Sequence, residues 1–338
     1  MSVLYKYLMG DVTEGSRRKS KSKRKRKNNS KIRVRNGTNG GKAFKKPSSK
    51  TSSKTSSKTF KKTNGSANRN ETSYTCYTQA GLEKMKEMWN KRHPDSMIET
   101  NNSKAIWESL KNKLSSVCDS ERCWIKQQFM ENNLDKELLN YTHAPESPKS
   151  WRKKPNEWLT SLDIDNVMKQ YEKEYPHYTF IGPSPIDFDK KELYGECVWD
   201  ELCNFNLHDF IKKGKTKIGI IFNTDTHDLD GSHWISLFID VKRQFLFFFD
   251  SNGDDMPKEV KALIDRVIKQ GIPLSLDFNL YYNKKEHQYS NTECGMYSLF
   301  FLTQMVTTSK TPEEFNKNRI PDEDVKKLRT VYFNNYTF

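Results

Sequence analysis

The sequence predicts an α+β fold in which a central β-sheet is flanked by helices, and three observations carry that prediction. Residues 217–222, 233–241 and 244–250 are short runs rich in β-branched and aromatic residues, which is typical of buried strands. Only two residues separate the second run from the third, so these strands should form a tight antiparallel hairpin. Segments with helical periodicity lie before and after the strands, as expected of an α+β domain.

Helical patterns precede the sheet at residues 81–93, 103–130 and 133–143. In the second segment, four apolar residues recur three or four positions apart, as one face of a helix requires: Ile106, Leu110, Leu114 and Val117. These segments predict a helical accessory subdomain over residues 74–150. Three prolines then interrupt the pattern before another helix, which should begin at Trp158.

Two further helices are predicted after the hairpin. Pro257 can occupy the first turn of one, and five apolar residues make a single stripe along it: Val260, Leu263, Ile264, Val267 and Ile268. A strand should follow at residues 276–283. The second helix, at residues 295–306, is apolar on nearly all sides and should therefore be buried.

Positive charge is concentrated near the N-terminus. The chain of 338 residues has 58 Lys and Arg against 43 Asp and Glu, yet residues 17–70 hold 21 of the basic residues and no acidic one. Residues 71–338 are mildly acidic, which argues against a uniformly basic nucleic-acid-binding domain. Residues 1–73 are expected to form a disordered tail, because so polar a segment cannot bury enough apolar surface to offset the entropy of ordering.

Three interpretations of the basic tail are open. Its Lys and Arg side chains can neutralise phosphates, which would give salt-sensitive and sequence-independent contact with DNA or RNA. A nuclear localisation signal is the second interpretation. A solvated tail without a specific partner is the third.

No membrane-spanning helix and no secretory signal are predicted, since the longest apolar runs fall far short of the ~20 residues that a bilayer requires. We therefore expect an intracellular protein whose six cysteines stay reduced. The pairs Cys118/Cys123 and Cys197/Cys203 lack the two-residue spacing typical of zinc sites, so neither a metal site nor another cofactor is expected.

Cys294 differs from the other cysteines because it lies at the predicted N-terminus of the buried helix. Unpaired backbone N–H groups and the positive end of the helix dipole stabilise a thiolate there, and the same N–H groups can receive an oxyanion. His233 begins a strand and Asp250 ends the next one, so a base and its orienting acceptor can be neighbours. Gln288, in the loop before Cys294, can add an amide donor.

Each of these four residues also has a purely structural interpretation. His233 could be an ordinary strand-end histidine, Asp250 a turn residue, Gln288 a polar loop residue and Cys294 a buried thiol. Their combination, in the order His, Asp, Gln, Cys on strand, strand, loop and helix start, favours nucleophilic catalysis by a thiol.

That order, the His233–Trp234 pair and the spacing from Gln288 to Cys294–Gly295 resemble the adenovirus-protease and SUMO-protease (Ulp1-like) clan of cysteine peptidases. Within the clan, the sequence is similar to the polyprotein-processing proteases of African swine fever virus and other large DNA viruses. The resemblance begins near residue 75, does not cover the basic tail, and is carried by these stretches: residues 118–123, 223–241, 287–301 and 321–333.

The resemblance implies a Ulp1-like core over residues 151–338, built on a central mixed β-sheet. It also implies that Cys294 is the nucleophile, His233 the general base and acid, Asp250 the group that orients His233, and Gln288 an oxyanion donor. Asp250 agrees with most of the clan, whereas the African swine fever virus enzyme carries Asn there. That enzyme also has Gln at the position of Asn291, which makes Asn291 a second oxyanion candidate.

Trp158 and Trp234 match two tryptophans that cover a narrow substrate tunnel in SUMO proteases, although a buried core position is the alternative for Trp158. Only residues without bulky side chains pass between two indoles. The resemblance therefore implies cleavage after Gly-Gly or Ala-Gly, where the backbone can be approached closely.

The function implied is that of a cysteine endopeptidase that processes structural polyprotein precursors of a large DNA virus during virion maturation. Its partners would be those precursors and, through residues 17–70, DNA or RNA, without a membrane. It would be located in the virion and the cytoplasmic viral factory, or in the nucleus. Removal of SUMO- or ubiquitin-like modifiers is an alternative, because these also end in Gly-Gly. A non-catalytic basic virion protein that binds nucleic acid is the second alternative.

Overall fold

The structure is a computed structural model that describes residues 67, 74–127 and 142–334. The basic tail, apart from Ala67, and nearly all of the helix expected at residues 133–143 lie outside the described residues. Among the described helices, none combines the length and the apolar composition needed to cross a lipid bilayer.

A mixed β-sheet of five strands forms the centre of the described fold, which confirms the predicted fold class. The strands lie side by side in chain order; β1 and β2 are parallel, β2–β3 and β3–β4 are antiparallel, and β4 and β5 are parallel. The predicted hairpin is the β3–β4 pair. The bounds are Tyr178–Pro185 (β1), Lys217–Asn223 (β2), Trp234–Asp240 (β3), Phe245–Phe249 (β4) and Asn279–Tyr282 (β5).

Strand β1 was not predicted from the sequence. Its segment contains Gly182, Pro183 and Pro185, and proline cannot donate to a sheet ladder, so such a segment does not look like a strand. The structure accommodates it at the edge of the sheet, where β1 pairs with β2 alone and the register shifts between Ile181 and Ser184.

The helices of the described residues are short, except for α1, α2, α4, α7 and α8. Their bounds are Gln79–Arg92 (α1), Ser103–Leu114 (α2), Glu121–Trp124 (α3), Ser161–Glu174 (α4), Asp200–Cys203 (α5), Leu207–Lys212 (α6), Lys258–Gly271 (α7), Cys294–Val306 (α8), Pro312–Lys317 (α9), Asp322–Lys327 (α10) and Arg329–Tyr332 (α11), with 3₁₀ turns at Lys149–Arg152 and Ile272–Leu274.

Helices cover both faces of the sheet. On one face, Ile235, Leu237 and Ile239 of β3 belong to a core that also contains the apolar stripe of α7. On the other face, Phe249 of β4 stacks on Phe301 of α8, with ring centroids 4.7 Å apart. Every residue of α8 is buried, which confirms the prediction of a buried helix.

The residues before the sheet have a separate apolar core, to which α1, α2 and α3 contribute. The long helical segment expected at residues 103–130 is broken, because α2 ends at Leu114 and α3 begins at Glu121. Val117, predicted to share the buried helix face, lies beyond the end of α2 and is exposed. The domain boundaries at residues 73 and 150 stay predictions.

The helix expected to begin at Trp158 begins at Ser161 instead. The side chain of Thr160 accepts the backbone N–H of Asp163, and the Asp163 carboxylate accepts the backbone N–H of Thr160. This reciprocal capping box fixes the start of α4. It leaves Trp158 in the preceding loop, where its side chain is free to line a surface cleft.

The expectation of reduced cysteines is wrong for four of them. Cys118 is joined to Cys123, and Cys197 to Cys203, by disulfide bonds. Their Cα atoms are 5.4 and 6.2 Å apart, which is within the range that a disulfide can bridge. Sequence spacing does not reveal such distances, since the turns between the partners set them.

Candidate active site

His233 and Asp250 meet at one end of the β3–β4 hairpin. His233 directly precedes β3 and Asp250 directly follows β4, and in the antiparallel register Ser236 lies opposite Phe249. The His233 Nε2–H donates to Asp250 Oδ1 at 2.7 Å. The side chain of Asp250 is 5% exposed, so this contact is largely shielded from water.

Cys294 is the first residue of α8 and is buried. The preceding Glu293 gives the helix no side-chain cap, so the backbone N–H groups of the first turn point at the region around the thiol. The Cys294 thiol lies close enough to the His233 ring to raise its pKa, and both residues line one cavity. Because Asp250 occupies Nε2, the nitrogen left for the thiol is Nδ1. Cys294, His233 and Asp250 therefore form one row, in which a hydrogen bond joins His233 to Asp250.

The two partners of His233 favour its charged form. Burial by itself lowers the pKa of the ring, but the hydrogen bonds to Asp250 and Cys294, together with the negative charge on both groups, outweigh it and raise the pKa of His233 to about 10. A protonated imidazole beside the thiol is the arrangement in which a cysteine is active as a thiolate.

Asp250 is held by groups that the sequence did not single out. Its Oδ1 also accepts the backbone N–H of Asn252 at 2.9 Å. The buried Asn283 side chain accepts the Asp250 backbone N–H at 2.9 Å and donates to the Asp250 carbonyl at 2.6 Å. These bonds fix the backbone from which Asp250 reaches His233. Asn283 gives no signal in the sequence, because it lies 33 residues from its partner.

Gln288 lies in the same cleft as Cys294 and is oriented by two hydrogen bonds. Its Oε1 accepts the hydroxyl of Ser251 at 2.8 Å, and its Nε2 donates to the carbonyl of Ser290. An amide nitrogen carries two hydrogens, so one remains for an oxyanion near Cys294. The Ser251 carbonyl accepts the backbone N–H groups of His287 and Gln288, which ties this loop to the turn that carries Asp250.

Asp322 fastens the loop that contains Gln288 to the C-terminal segment. Its carboxylate accepts the backbone N–H of Tyr289 at 3.1 Å and the hydroxyl of Ser290 at 3.3 Å, and it pairs with Arg319 at 2.8 Å. The Arg319 guanidinium also lies 3.6 Å from the centre of the Tyr289 ring.

A buried ion pair supports the residue before the nucleophile. Arg329 Nε lies 3.0 Å from Glu293 Oε2, and the two side chains are 0% and 2% exposed. Arg329 also lies over the ring of Trp151, 4.5 Å from its centre. The turn that starts α8 is therefore set by a contact 36 residues further along the chain, which sequence reasoning missed.

Trp158 and Trp234 line the cleft on one side of His233, and Trp158 also lines the part that contains Gln288 and Cys294. Trp158 is 42% exposed, so the alternative of a buried core residue is wrong. Its Nε1–H donates to the backbone carbonyl of Asn291 at 2.6 Å, and the Trp234 Nε1–H donates to the carbonyl of Leu159 at 3.1 Å. Asn291 thus anchors one indole through its backbone, while its side chain stays exposed in the cleft with Cys294.

Gly295 connects the nucleophile to the indoles. A Cβ atom at this position would meet the Leu159 side chain at 3.0–3.2 Å, which is tighter than ordinary contact. Gly295→Ala is expected to displace Leu159 and the adjoining Trp158 by a few tenths of an ångström, and to lower kcat/KM up to about tenfold. Steady-state kinetics would measure the fall in kcat/KM. Leu159→Ala, which removes the Cγ and Cδ1 atoms of this contact, should partly restore Gly295→Ala. Strictly additive losses would contradict the contact.

A group of potential metal ligands lies apart from the cleft. Ligand atoms of Cys76, Glu121 and His143 lie within 4.8 Å of one another. The Glu121 carboxylate accepts the backbone N–H of Cys76 and the indole N–H of Trp107, so hydrogen bonds account for its placement. We assign no metal to this group.

Comparison with known proteins of similar sequence shows which family the chain belongs to. The chain matches the Ulp1 protease family, C-terminal catalytic domain, over residues 204–337. A protein of Acanthamoeba polyphaga mimivirus that is named as a thiol protease is 30% identical over 237 residues, which make up 69% of this chain and 75% of that protein. The chain belongs to the Ulp1 protease family.

Further comparisons of this Ulp1-family protease lead to African swine fever virus. The cysteine protease of that virus is 28% identical over 265 residues, or 71% of this chain and 91% of the viral protein. In another isolate it is named SUMO-1 cysteine protease. Its crystal structure has the same fold, with a TM-score of 0.54, 18% identity and coverage of 80% of this chain and 95% of that one.

This protein is a cysteine protease, as its family and its named relatives are. The family match contains His233, Asp250, Gln288 and Cys294, and Trp158 lies before its first residue.

Proposed function

We propose that this protease cleaves structural precursor proteins of a large DNA virus after Gly-Gly or Ala-Gly during virion assembly. The observation that carries the proposal is the row from Asp250 through His233 to Cys294 at the N-terminus of a buried helix, beside a cleft walled by two indoles. Relatives from two large DNA viruses that are named as proteases support the viral setting.

The geometry supports acyl transfer through a thioester. The Cys294 thiolate attacks the carbonyl carbon of the residue before the scissile bond. The Cys294 backbone N–H and the second Nε2 hydrogen of Gln288 stabilise the oxyanion that forms. His233, charged through Asp250, gives its Nδ1 proton to the leaving amine. Water then hydrolyses the thioester, with His233 as base, and the free thiol returns.

The two indoles supply the reason for small residues at the cleavage site. Trp158 and Trp234 are both held by hydrogen bonds to backbone carbonyls, so neither side chain can swing away without losing a partner. A peptide that passes between them is approached on both faces, which glycine tolerates best. Asn291 anchors Trp158 through its backbone carbonyl, and its exposed side chain stays the second oxyanion candidate.

A peptide series tests the proposed specificity. Peptides that contain Gly-Gly should be cleaved by the recombinant protein, and replacement of the glycine before the scissile bond by valine should lower kcat/KM by about two orders of magnitude or more. Mass spectrometry of the products would place the cut. The same peptides must stay intact with Cys294→Ala. Cleavage that survives this substitution would contradict the assignment of Cys294 as the nucleophile.

Removal of SUMO-like modifiers is a second candidate function, favoured by the name of one African swine fever virus relative. Such modifiers end in Gly-Gly and would fit the same cleft. A SUMO probe with a C-terminal vinyl sulfone would label Cys294 if this function holds. Rapid labelling without cleavage of virion precursors would favour this function over the first.

The basic tail is proposed to hold the protease near packaged nucleic acid, in the virion, the viral factory or the nucleus. Support comes from the absence of acidic residues in residues 17–70, which hold 21 Lys and Arg. DNA affinity measured against salt concentration should show a steep slope for the full chain. An unchanged slope after deletion of residues 17–70 would remove this role.

A further inference from the structure

Acidic side chains line the cleft on both sides of the catalytic row. One side has Glu157, Asp163 and Asp230, and the other has Asp254 and Glu286. Within the described part of the chain, no Lys or Arg lines either side. A cleft with this lining favours substrates with basic residues on both sides of the scissile bond.

Three of these carboxylates are available to a ligand. Asp163 is engaged in the capping box of α4, and Glu157 lies 3.8 Å from Lys154. By contrast Asp230, Asp254 and Glu286 are exposed, and none of them forms an ion pair with a described residue. Exposed carboxylates without a counter-charge next to a catalytic row can select a basic substrate at little cost in desolvation.

The chain itself contains such a substrate sequence. Gly40–Gly41 is its single Gly-Gly pair, and it stands within residues 17–70, where acidic residues are absent. Lys42 follows directly, and the nearby basic residues on the two sides are Lys31, Arg33, Arg35, Lys45 and Lys46. The Ala80–Gly81 pair, by contrast, lies in the first turn of α1, where a helical backbone cannot enter a narrow cleft.

We propose that this protease cleaves its own chain between Gly41 and Lys42, with Asp230, Asp254 and Glu286 drawing the basic segment into the cleft. The inference rests on the proposed function, since it requires cleavage after Gly-Gly. Cys294 forms a thioester with the Gly41 carbonyl, and His233 protonates the nitrogen of Lys42 as the peptide bond breaks. Water then converts the thioester to the Gly41 carboxylate and frees the thiol.

The length of the connecting chain permits this reaction. From Gly41 to Tyr74, where the continuous described part begins, there are 33 residues. A chain of that length spans at most roughly 110 Å when fully extended. Cleavage within one molecule and cleavage between two molecules are therefore both within reach. Either mode would release residues 1–41, with the densest basic run of the tail, from the protease.

Self-cleavage can be tested between two full-length proteins. The substrate is the Cys294→Ala chain, and the enzyme is the active Gly41→Val chain, which cannot be cut at this bond. Intact-mass spectrometry should show a substrate fragment that begins at Lys42. The Cys294→Ala/Gly41→Val chain serves as the uncut control.

An uncharged Gly-Gly peptide in the same reaction distinguishes a failure of self-cleavage from a failure of the proposed cleavage after Gly-Gly. If the peptide is cleaved and the Gly41–Lys42 bond stays intact both in this reaction and in purified wild-type protein, self-cleavage is overturned and the proposed function stands. If neither is cleaved, both fall. Cleavage of the substrate chain at other bonds only would also overturn the inference.

The acidic lining has its own test. Two peptides that span residues 35–48, one native and one with its basic residues replaced by Gln, give a ratio of kcat/KM values that reports charge selection. Asp254→Asn/Glu286→Gln should lower this ratio about three- to tenfold, because exposed charge pairs contribute modestly. Glu201→Gln, an exposed carboxylate outside the cleft, is the matched control. A ratio that the double variant leaves unchanged would overturn the role of the lining.

Discussion

Replacement of Asp250 by Ala is expected to lower kcat/KM by about 10²- to 10⁴-fold, because His233 loses the acceptor that orients its ring and stabilises its charge. The protein should still fold, since the backbone of residue 250 keeps its two hydrogen bonds to Asn283. Steady-state cleavage of a Gly-Gly peptide would measure the loss.

The pH profile gives Asp250→Ala a readout that a general structural defect would not produce. In the wild-type protein the pKa of His233 is raised to about 10, so the charged imidazole that protonates the leaving amine persists until the pH passes that value. The alkaline limb of kcat/KM should therefore lie near pH 10. In Asp250→Ala it should move to lower pH, toward the ordinary value of 6.5. A limb that stays in place would contradict the pairing.

The same pair links stability to pH. The folded-state pKa of His233 lies above its ordinary value of 6.5, so the stabilisation is fully present below pH 6.5 and is lost as the pH rises through about 10. Unfolding curves recorded across that window should show a decline that Asp250→Ala largely removes. Asp255→Asn, an exposed carboxylate that does not line the cleft, changes the net charge equally and should keep the wild-type decline.

Replacement of Arg329 by Met is expected to lower the free energy of unfolding by about 3–5 kcal/mol, because it leaves the buried Glu293 carboxylate without its ion-pair partner. Differential scanning calorimetry or urea titration would measure the change. Activity should fall with it, since Glu293 directly precedes Cys294 and its position sets the start of α8.

Two further variants distinguish the loss of the buried Arg329–Glu293 ion pair from the loss of any positive charge. Lys327→Met removes a nearby ion pair with Asp324 whose side chains are 55% and 42% exposed, so it should cost about 1 kcal/mol or less. The double variant Arg329→Met/Glu293→Leu removes both buried charges and should recover much of the loss. A double variant as unstable as the sum of the single ones would argue against the ion pair.

The strands β2, β3 and β4 and helix α8 could be predicted because their apolar residues form unbroken local runs. The three residues of the catalytic row could also be predicted, because each lies at the end of such a run. There a sheet edge and a helix N-terminus bring polar groups together. Strand β1 was missed because its prolines hide it. The mixed parallel and antiparallel pairing of the sheet came from the resemblance and not from the pattern.

The supporting residues could not be predicted in this way. Asn283, Asp322 and Arg329 act through partners 33, 33 and 36 residues away, and nothing in their own neighbourhoods marks them as different from surface polar residues. Only the folded chain shows that Asn283 and Arg329 are buried. The start of α4 differs from these cases, because its capping box joins residues only three apart and is a local signal that the predicted helix start at Trp158 overlooked.

Asp322 holds the Gln288 loop and Arg329 holds Glu293. These contacts also set the order in which the active site can assemble during synthesis. A ribosome makes the chain from its N-terminus, so the nucleophile and its base emerge before the segment that clamps them. A nascent chain that has not reached residue 329 carries every reacting group and still lacks the contacts that hold them. Assembly of the active site therefore requires contacts from a segment that is translated after Cys294 itself.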